Sequence, residues 1–304
     1  MKNPRAIVLY VLLALVWGSS FILMKRGLES FSPLQIAGMR ILIAGLVMVP
    51  FLIGKAKQMS RKDWIFVSLV GIFGNGLPAF LFPMAETHIN SATAGILNSL
   101  SPLFTLVLGI LFFQLPFSGM RTMGILLGFL GALILVLTGD TQLNLWEHLG
   151  YASLVVIGAA GYGLSTNLMK SFLHELPSLL ASGFALLSVA IPYGLYVVFF
   201  SGVPQVLIEQ DGAWLAFGHI VILGSIGTSL ALIWYYRLLR MTDPITSSSV
   251  AYVIPVVALF WGLLDGEQMT SAQFGGMAVI LVGVFLATRG ANLKIGKPLV
   301  SKGR

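Results

Sequence analysis

The chain has 304 residues, of which 57% are hydrophobic and only 10% charged, and its mean hydropathy is +0.92. A soluble domain presents roughly a quarter charged residues to water, so a water-soluble globule is excluded and lipid must solvate much of this surface. The absence of cysteine excludes disulfide scaffolds and thiolate chemistry, and the net charge of +7 does not point to nucleic acid, because the basic residues mark the ends of apolar runs instead of forming a stripe.

A helix that crosses a bilayer needs roughly 20 apolar residues, since only a backbone with its hydrogen bonds satisfied internally is stable in hydrocarbon. Ten runs meet this: 6–24, 33–54, 64–85, 91–113, 121–139, 149–169, 178–200, 213–236, 246–264 and 271–288. The first run, Ala6 to Met24, is longer than the roughly 7–15 residues of a signal-peptide apolar region. It is followed by Lys25-Arg26 instead of a small-residue cleavage site, so it is a retained helix. The second run contains Arg40 and the eighth contains His219. The alternation of a membrane β-barrel is absent, so the fold class is all-α: a polytopic membrane protein of ten helices.

Lysine and arginine set the orientation. Fifteen of the 18 fall at the N-terminus, in the 2–3, 4–5, 6–7 and 8–9 loops and in the tail, which places both termini in the cytoplasm. The opposite side carries Lys25 and Arg26 together with the acidic Glu86, Asp140, Glu147, Glu209, Asp211, Asp265 and Glu267.

Two halves of the chain repeat. Trp17-Gly18 with Met24-Lys25 recurs as Tyr162-Gly163 with Met169-Lys170; Trp64 and Gly74 recur as Trp214 and Gly224; Pro102 recurs as Pro255; and Gly124 with Gly131 recurs as Gly276 with Gly283. With five helices each, residues 1–140 and 141–290 must enter the membrane from opposite faces as two inverted repeats, followed by a basic cytoplasmic tail, 291–304.

These residues carry a resemblance. Trp17-Gly18-Ser19-Ser20-Phe21 with Lys25, Arg40, Ser101-Pro102-Leu103, Tyr252-Val253-Ile254-Pro255-Val256, the Gly266-Glu267 pair, and Gly276 with Gly283 together resemble the drug/metabolite transporter superfamily, in its EamA-like ten-helix branch. The resemblance runs from Ile7 to about Arg289, and the acidic residue it leads one to expect after the fourth helix is Gln114 here, whereas the second half keeps Glu267. It implies an inner-membrane secondary carrier that works by alternating access around a central cavity, commonly an exporter of amino acids, related metabolites or drugs. The implied partners are a small-molecule substrate, membrane lipid, and a proton or counter-substrate. No cofactor, metal or nucleic acid is implied.

Polar side chains within the runs are the candidates for that cavity, because hydrocarbon penalises them elsewhere. They are Ser20, Asn75, Asn98, Ser101, Ser165, Asn167 and Thr228, with Trp17, Tyr162 and Tyr252 as aromatic wall. A single serine or threonine is more economically read as bonding back within its own helix, whereas an amide cannot satisfy itself locally. Pro102 and Pro255 each remove a backbone donor at matched places in helices four and nine and are candidate hinges. Arg40 is a partner for an anionic substrate or for Glu86, or a structural cation; Glu86 is a candidate coupling carboxyl. Trp234 and Tyr235 read as interfacial belt. A membrane-embedded enzyme or a channel are the alternatives. The four histidines (His88, His148, His174, His219) lie on separate segments with no His-Glu-x-x-His, and no segment resembles a selectivity filter.

Overall fold

A computed structural model of the protein describes residues 3–115, 119–138, 145–242 and 244–289. The predicted tail, 291–304, together with Lys2 and Asp140 of the charge pattern, lies outside the described residues. All described elements are helical. Eight helices are long and apolar enough to cross a membrane: α1 (Pro4–Leu28), α2 (Pro33–Leu52), α3 (Arg61–Glu86), α4 (Ser91–Phe112), α6 (Leu145–Phe172), α7 (Ser178–Phe199), α8 (Ala213–Met241) and α9 (Thr246–Leu264). Two further apolar helices, α5 (Gly119–Leu137) and α10 (Ser271–Arg289), complete the ten that the sequence predicts. Short helices at Lys55–Gln58 and Val203–Glu209 lead into α3 and α8.

Helix starts follow from local chemistry. Asn3 caps α1 by accepting from the Arg5 amide, with Pro4 in the first turn, where a missing N–H costs nothing. Reciprocal capping boxes open α2 (Ser32 with Gln35) and α3 (Ser60 with Asp63), and Thr270 with Gln273 makes the same exchange at α10.

Polarity runs the reverse of a soluble protein. Large apolar side chains point outward on the spans, as at Leu126 (66% exposed) and Val198 (64%), while Asn75, Asn98, Thr105 and Ser229 are buried. Small residues allow the close approaches. α5 and α10 cross backbone to backbone: a Cβ on Gly131 would sit 2.6 Å from the Ile280 amide nitrogen and 2.7 Å from the Gly276 carbonyl, and one on Gly283 would strike the Gly128 amide and lie 2.7 Å from the Gly124 carbonyl. The packing partners pair up under exchange of the halves. α5 lies on α10, α2 on α7 and α4 on α9; α1 packs on α8 as α6 packs on α3.

Four of the central spans are interrupted. α3 passes through a π-helical stretch at Ile72–Gly76, and α8 does so at Ser225–Leu230. α4 breaks between Asn98 and Ser101, and α9 changes from a 3-10 turn at Ser249–Tyr252 to α-helix at Ile254. These breaks face the middle of the molecule.

Candidate functional site

The interrupted helices surround a central cavity. It is lined from α1 (Trp17, Ser20, Phe21, Met24), α2 (Arg40, Ile41), α3 (Gly74, Asn75, Phe82), α4 (Asn98, Ser101, Thr105), α6 (Tyr162, Ser165, Thr166), α8 (Gly227, Thr228, Leu232, Tyr235, Tyr236) and α9 (Ser248, Ala251, Ile254). Water centres can occupy about 100 Å³ of it. One water needs roughly 10–15 Å³ on that measure, so the space holds several waters or a small solute.

A π-turn spaces one extra residue into a helix and frees backbone groups, which neighbouring side chains then take up. Trp17 Nε1 donates to the Gly227 carbonyl (3.1 Å) and the Tyr193 hydroxyl to the Gly76 carbonyl (2.9 Å), while Ser229, within the π-turn of α8, donates from its own Oγ to the Ala44 carbonyl of α2 (2.6 Å). The distortions in α3 and α8 are therefore held by α7 on one side and by α1 and α2 on the other. They present Asn75 and Thr228 to the cavity.

Arg40 is 8% exposed. Its Nε donates to Thr228 Oγ1 (2.9 Å), and one terminal nitrogen reaches the Met24 sulfur at 3.7 Å. Thr228 Oγ1 in turn donates to the Leu223 carbonyl (2.9 Å), five residues back, as the π-turn dictates. No carboxylate lies within 4 Å of Arg40 among the described residues, so the structure does not pair it with Glu86. Glu86 ends α3 outside the cavity lining, with both carboxyl oxygens buried and neither bonded within the described residues.

Eight of the ten residues expected at a cavity line this one: Trp17, Ser20, Asn75, Asn98, Ser101, Tyr162, Ser165 and Thr228. Asn167 and Tyr252 lie outside the lining. Asn167 Nδ2 instead ties α6 to α4 through the Thr105 carbonyl (2.8 Å) and to its own turn at Gly163 (3.0 Å). The hydroxyls also bond back within their helices, Ser20 to Val16, Ser101 to Asn98 and Thr166 to Tyr162. Local satisfaction and cavity exposure thus coexist. Pro102 and Pro255 sit in the first turn after the breaks in α4 and α9, where each starts a helix segment instead of kinking one.

The belt reading of Tyr235 does not hold. Its ring is buried against Trp17 (centroids 5.2 Å apart), and its hydroxyl is 2.8 Å from Thr166 Oγ1. Sequence reasoning also missed Tyr236, Thr105 and Ser248. Helical spacing from accepted candidates carries the signal for some: Leu232 and Tyr235 follow Thr228 by four and seven, and Thr105 follows Ser101 by four.

Above the cavity, at the end of α1, lies a cluster of charges. Lys25 Nζ contacts Asp265 Oδ2 (2.6 Å) and Glu267 Oε1 (2.8 Å), and Arg26 bridges Asp265 and Glu29. Gly266, at φ +82°, makes the left-handed turn that brings Glu267 back toward the bundle. There the carboxylate accepts from Ser91 N (3.2 Å), Ser91 Oγ (2.7 Å) and Ala92 N (3.0 Å), closing the N-terminus of α4. The ends of α1, α4 and α9 are latched together. Lys170, which the sequence matches with Lys25, bonds the carbonyls of Leu239 (3.1 Å) and Thr242 (3.0 Å), and Gln114, after α4, is exposed.

Burial opposes ionisation of Glu267, but the bonds from Lys25, Ser91 and the Ala92 amide outweigh it and hold the carboxyl below its ordinary value. A depressed folded value adds stability above the unfolded value, about 4.3 for glutamate, and loses it as pH falls through the folded value. The melting-temperature gap between wild type and Glu267→Gln is therefore expected to be full at neutral pH and to close below about pH 4.3. A gap that widens on acidification contradicts the assignment.

The EamA-like transporter family model matches this chain twice, over residues 4–137 and 149–289. The "Uncharacterized inner membrane transporter YedA" of Escherichia coli strain K12 is 28% identical over 302 residues, covering 95% of this chain and 92% of the relative. An "Uncharacterized transporter" of Archaeoglobus fulgidus is 27% identical over 92% of this chain and 98% of its own. The "Probable amino-acid metabolite efflux pump" of Salmonella typhimurium is 24% identical, covering 94% and 95%. A crystal structure 18% identical in sequence superposes with a TM-score of 0.65 over 95% of this chain and 98% of that one, which supports the fold.

Proposed function

Since the chain belongs to the EamA-like transporter family, and is thus a multi-pass membrane transporter of the drug/metabolite superfamily, we propose that it is a secondary carrier exporting small metabolites such as amino acids or related compounds by alternating access. The observation that carries this reading is the central cavity, polar and aromatic in the middle of the bundle, walled by helices of both halves. The two halves, 1–140 and 141–290, act as inverted repeats. That reading is supported by the double family match, by π-turns at corresponding places in α3 and α8, and by breaks at corresponding prolines in α4 and α9. The breaks are the hinges on which Pro102 and Pro255 act.

The protein resides in an inner membrane with both termini in the cytoplasm, in line with the placement of its basic residues and with the printed name of the Escherichia coli relative. On this orientation the Lys25–Glu267 latch lies on the external face. A proton or a counter-substrate drives transport. The test is counterflow in proteoliposomes with a panel of amino acids and related metabolites: saturable exchange of at least one is expected, and no saturable flux of any would reject the carrier.

A further inference from the structure

The cavity is built of hydrogen-bond donors and one fixed cation. Among its lining residues there is no aspartate or glutamate. Arg40 brings a full positive charge into this wall, and none of its partners there, Thr228 Oγ1, the Met24 sulfur and the Tyr162 hydroxyl, is a carboxylate. The other charges of this region are bound elsewhere or lie outside the wall: Lys25 is bound to Asp265 and Glu267, and Glu86, although within electrostatic reach of Arg40, is outside the lining and makes no bond to it. A buried charge with no carboxylate in contact is costly in hydrocarbon surroundings, and a carboxylate brought by the solute relieves it at contact distance. A second, independent observation points the same way. Asn75 Nδ2, on the π-turn of α3, is a buried donor that makes no well-formed hydrogen bond, the polar group beside it being the Tyr236 hydroxyl. Buried donors are nearly always satisfied, and this one shares the cavity with Arg40.

Resting on the carrier reading above, we propose that Arg40 and Asn75 form the head-group subsite of the cavity and that its ligand is a small monoanionic carboxylate with an apolar or aromatic flank. A single guanidinium matches one carboxylate, by the two parallel N–H···O bonds that arginine favours. A phosphate monoester, near two negative charges at neutral pH, leaves one unmatched in this wall. The flank is set by Trp17, Phe21, Phe82 and Leu232, which give apolar surface on the remaining sides.

The experiment uses the purified full chain and one carbon skeleton with three heads: 3-phenylpropionate, its methyl ester, and 3-phenylpropylamine. Each is scored by thermal stabilisation and by competition in counterflow. The acid is expected to stabilise the protein and to compete at least ten-fold better than the ester or the amine. Arg40→Gln is expected to weaken the acid by about 10–100-fold, the range for losing a charge-assisted hydrogen bond, and to erase the preference among heads. Arg40→Lys restores part of it. Where Arg40→Gln does not fold, Asn75→Asp gives Arg40 a carboxylate in the same wall, and the preference for the acid over the ester and the amine is expected to disappear. No stabilisation by the acid, equal binding of the three heads by wild type, or an unchanged preference in these variants overturns the proposal. Stabilisation by the acid without saturable flux of any solute leaves this subsite standing and rejects the carrier instead.

Discussion

Replacing Glu267 with alanine is expected to open the latched end of the bundle, the external end in the orientation proposed above. The substitution removes the carboxylate that at once pairs with Lys25 and accepts three bonds from Ser91 and Ala92 at the start of α4. Removing one member of a buried pair costs about 3–5 kcal/mol because the other is stranded. Lys25 is about a third exposed and keeps Asp265 at 2.6 Å, so roughly 2–4 kcal/mol is expected here. The loss falls on the latched conformation, so the variant melts at a lower temperature and its cavity becomes more reachable from outside. Glu267→Gln still accepts from the Ser91 and Ala92 groups while losing the charge on Lys25, and is expected to fall between. Unchanged melting in Glu267→Ala would show that these contacts do not hold the fold closed.

The second large effect is at Gly283. A side chain there meets backbone on the facing helix, the Gly128 amide and the Gly124 carbonyl, and backbone cannot swing aside as a side-chain tip can. Gly283→Leu must therefore separate α10 from α5 along their whole crossing. Overpacking a well-filled core typically costs 1–3 kcal/mol, and the rigid neighbours here put the expected loss at about 3 kcal/mol or more. Gly131→Leu, which strikes the Ile280 amide and the Gly276 carbonyl, is expected to act alike, whereas Gly275→Leu, with nothing within 4 Å of its Cβ position, is expected to be tolerated. Equal loss for Gly275→Leu and Gly283→Leu in the unfolding midpoint would remove the packing explanation.

Much of this was legible because the bilayer leaves a chain few options. Ten apolar runs correspond to the ten helices, with ends that differ by about a turn: the first helix extends through Lys25 and Arg26, and the eighth to Met241. The cavity was legible where a polar side chain sits deep in a run, as at Asn75, Asn98 and Thr228, since hydrocarbon offers such groups nothing. Asn167 shows where that reasoning ends. Its depth is right, but the Thr105 carbonyl of the next helix satisfies it, and only the packing of α6 on α4 reveals that. The π-turns had no signature beyond glycine-containing segments, because what selects them is support from α1, α2 and α7 and not local preference. Likewise Glu267 shows in sequence only as an acid after a glycine; its role depends on the start of α4, 176 residues away from it in the chain at Ser91.

The most direct measurement of the central claim, a single cavity between the halves that is open to one side at a time, uses the absence of native cysteine. Ser101→Cys puts one thiol in the cavity wall, and a membrane-impermeant thiol reagent is applied from either face of oriented vesicles. In the proposed orientation and with the latch intact, labelling is expected from the cytoplasmic face only; in the Glu267→Ala background it is expected from outside as well, and saturating solute slows both. Labelling of the otherwise unaltered protein from both faces at equal rates, insensitive to solute, would contradict the carrier and indicate an open pore.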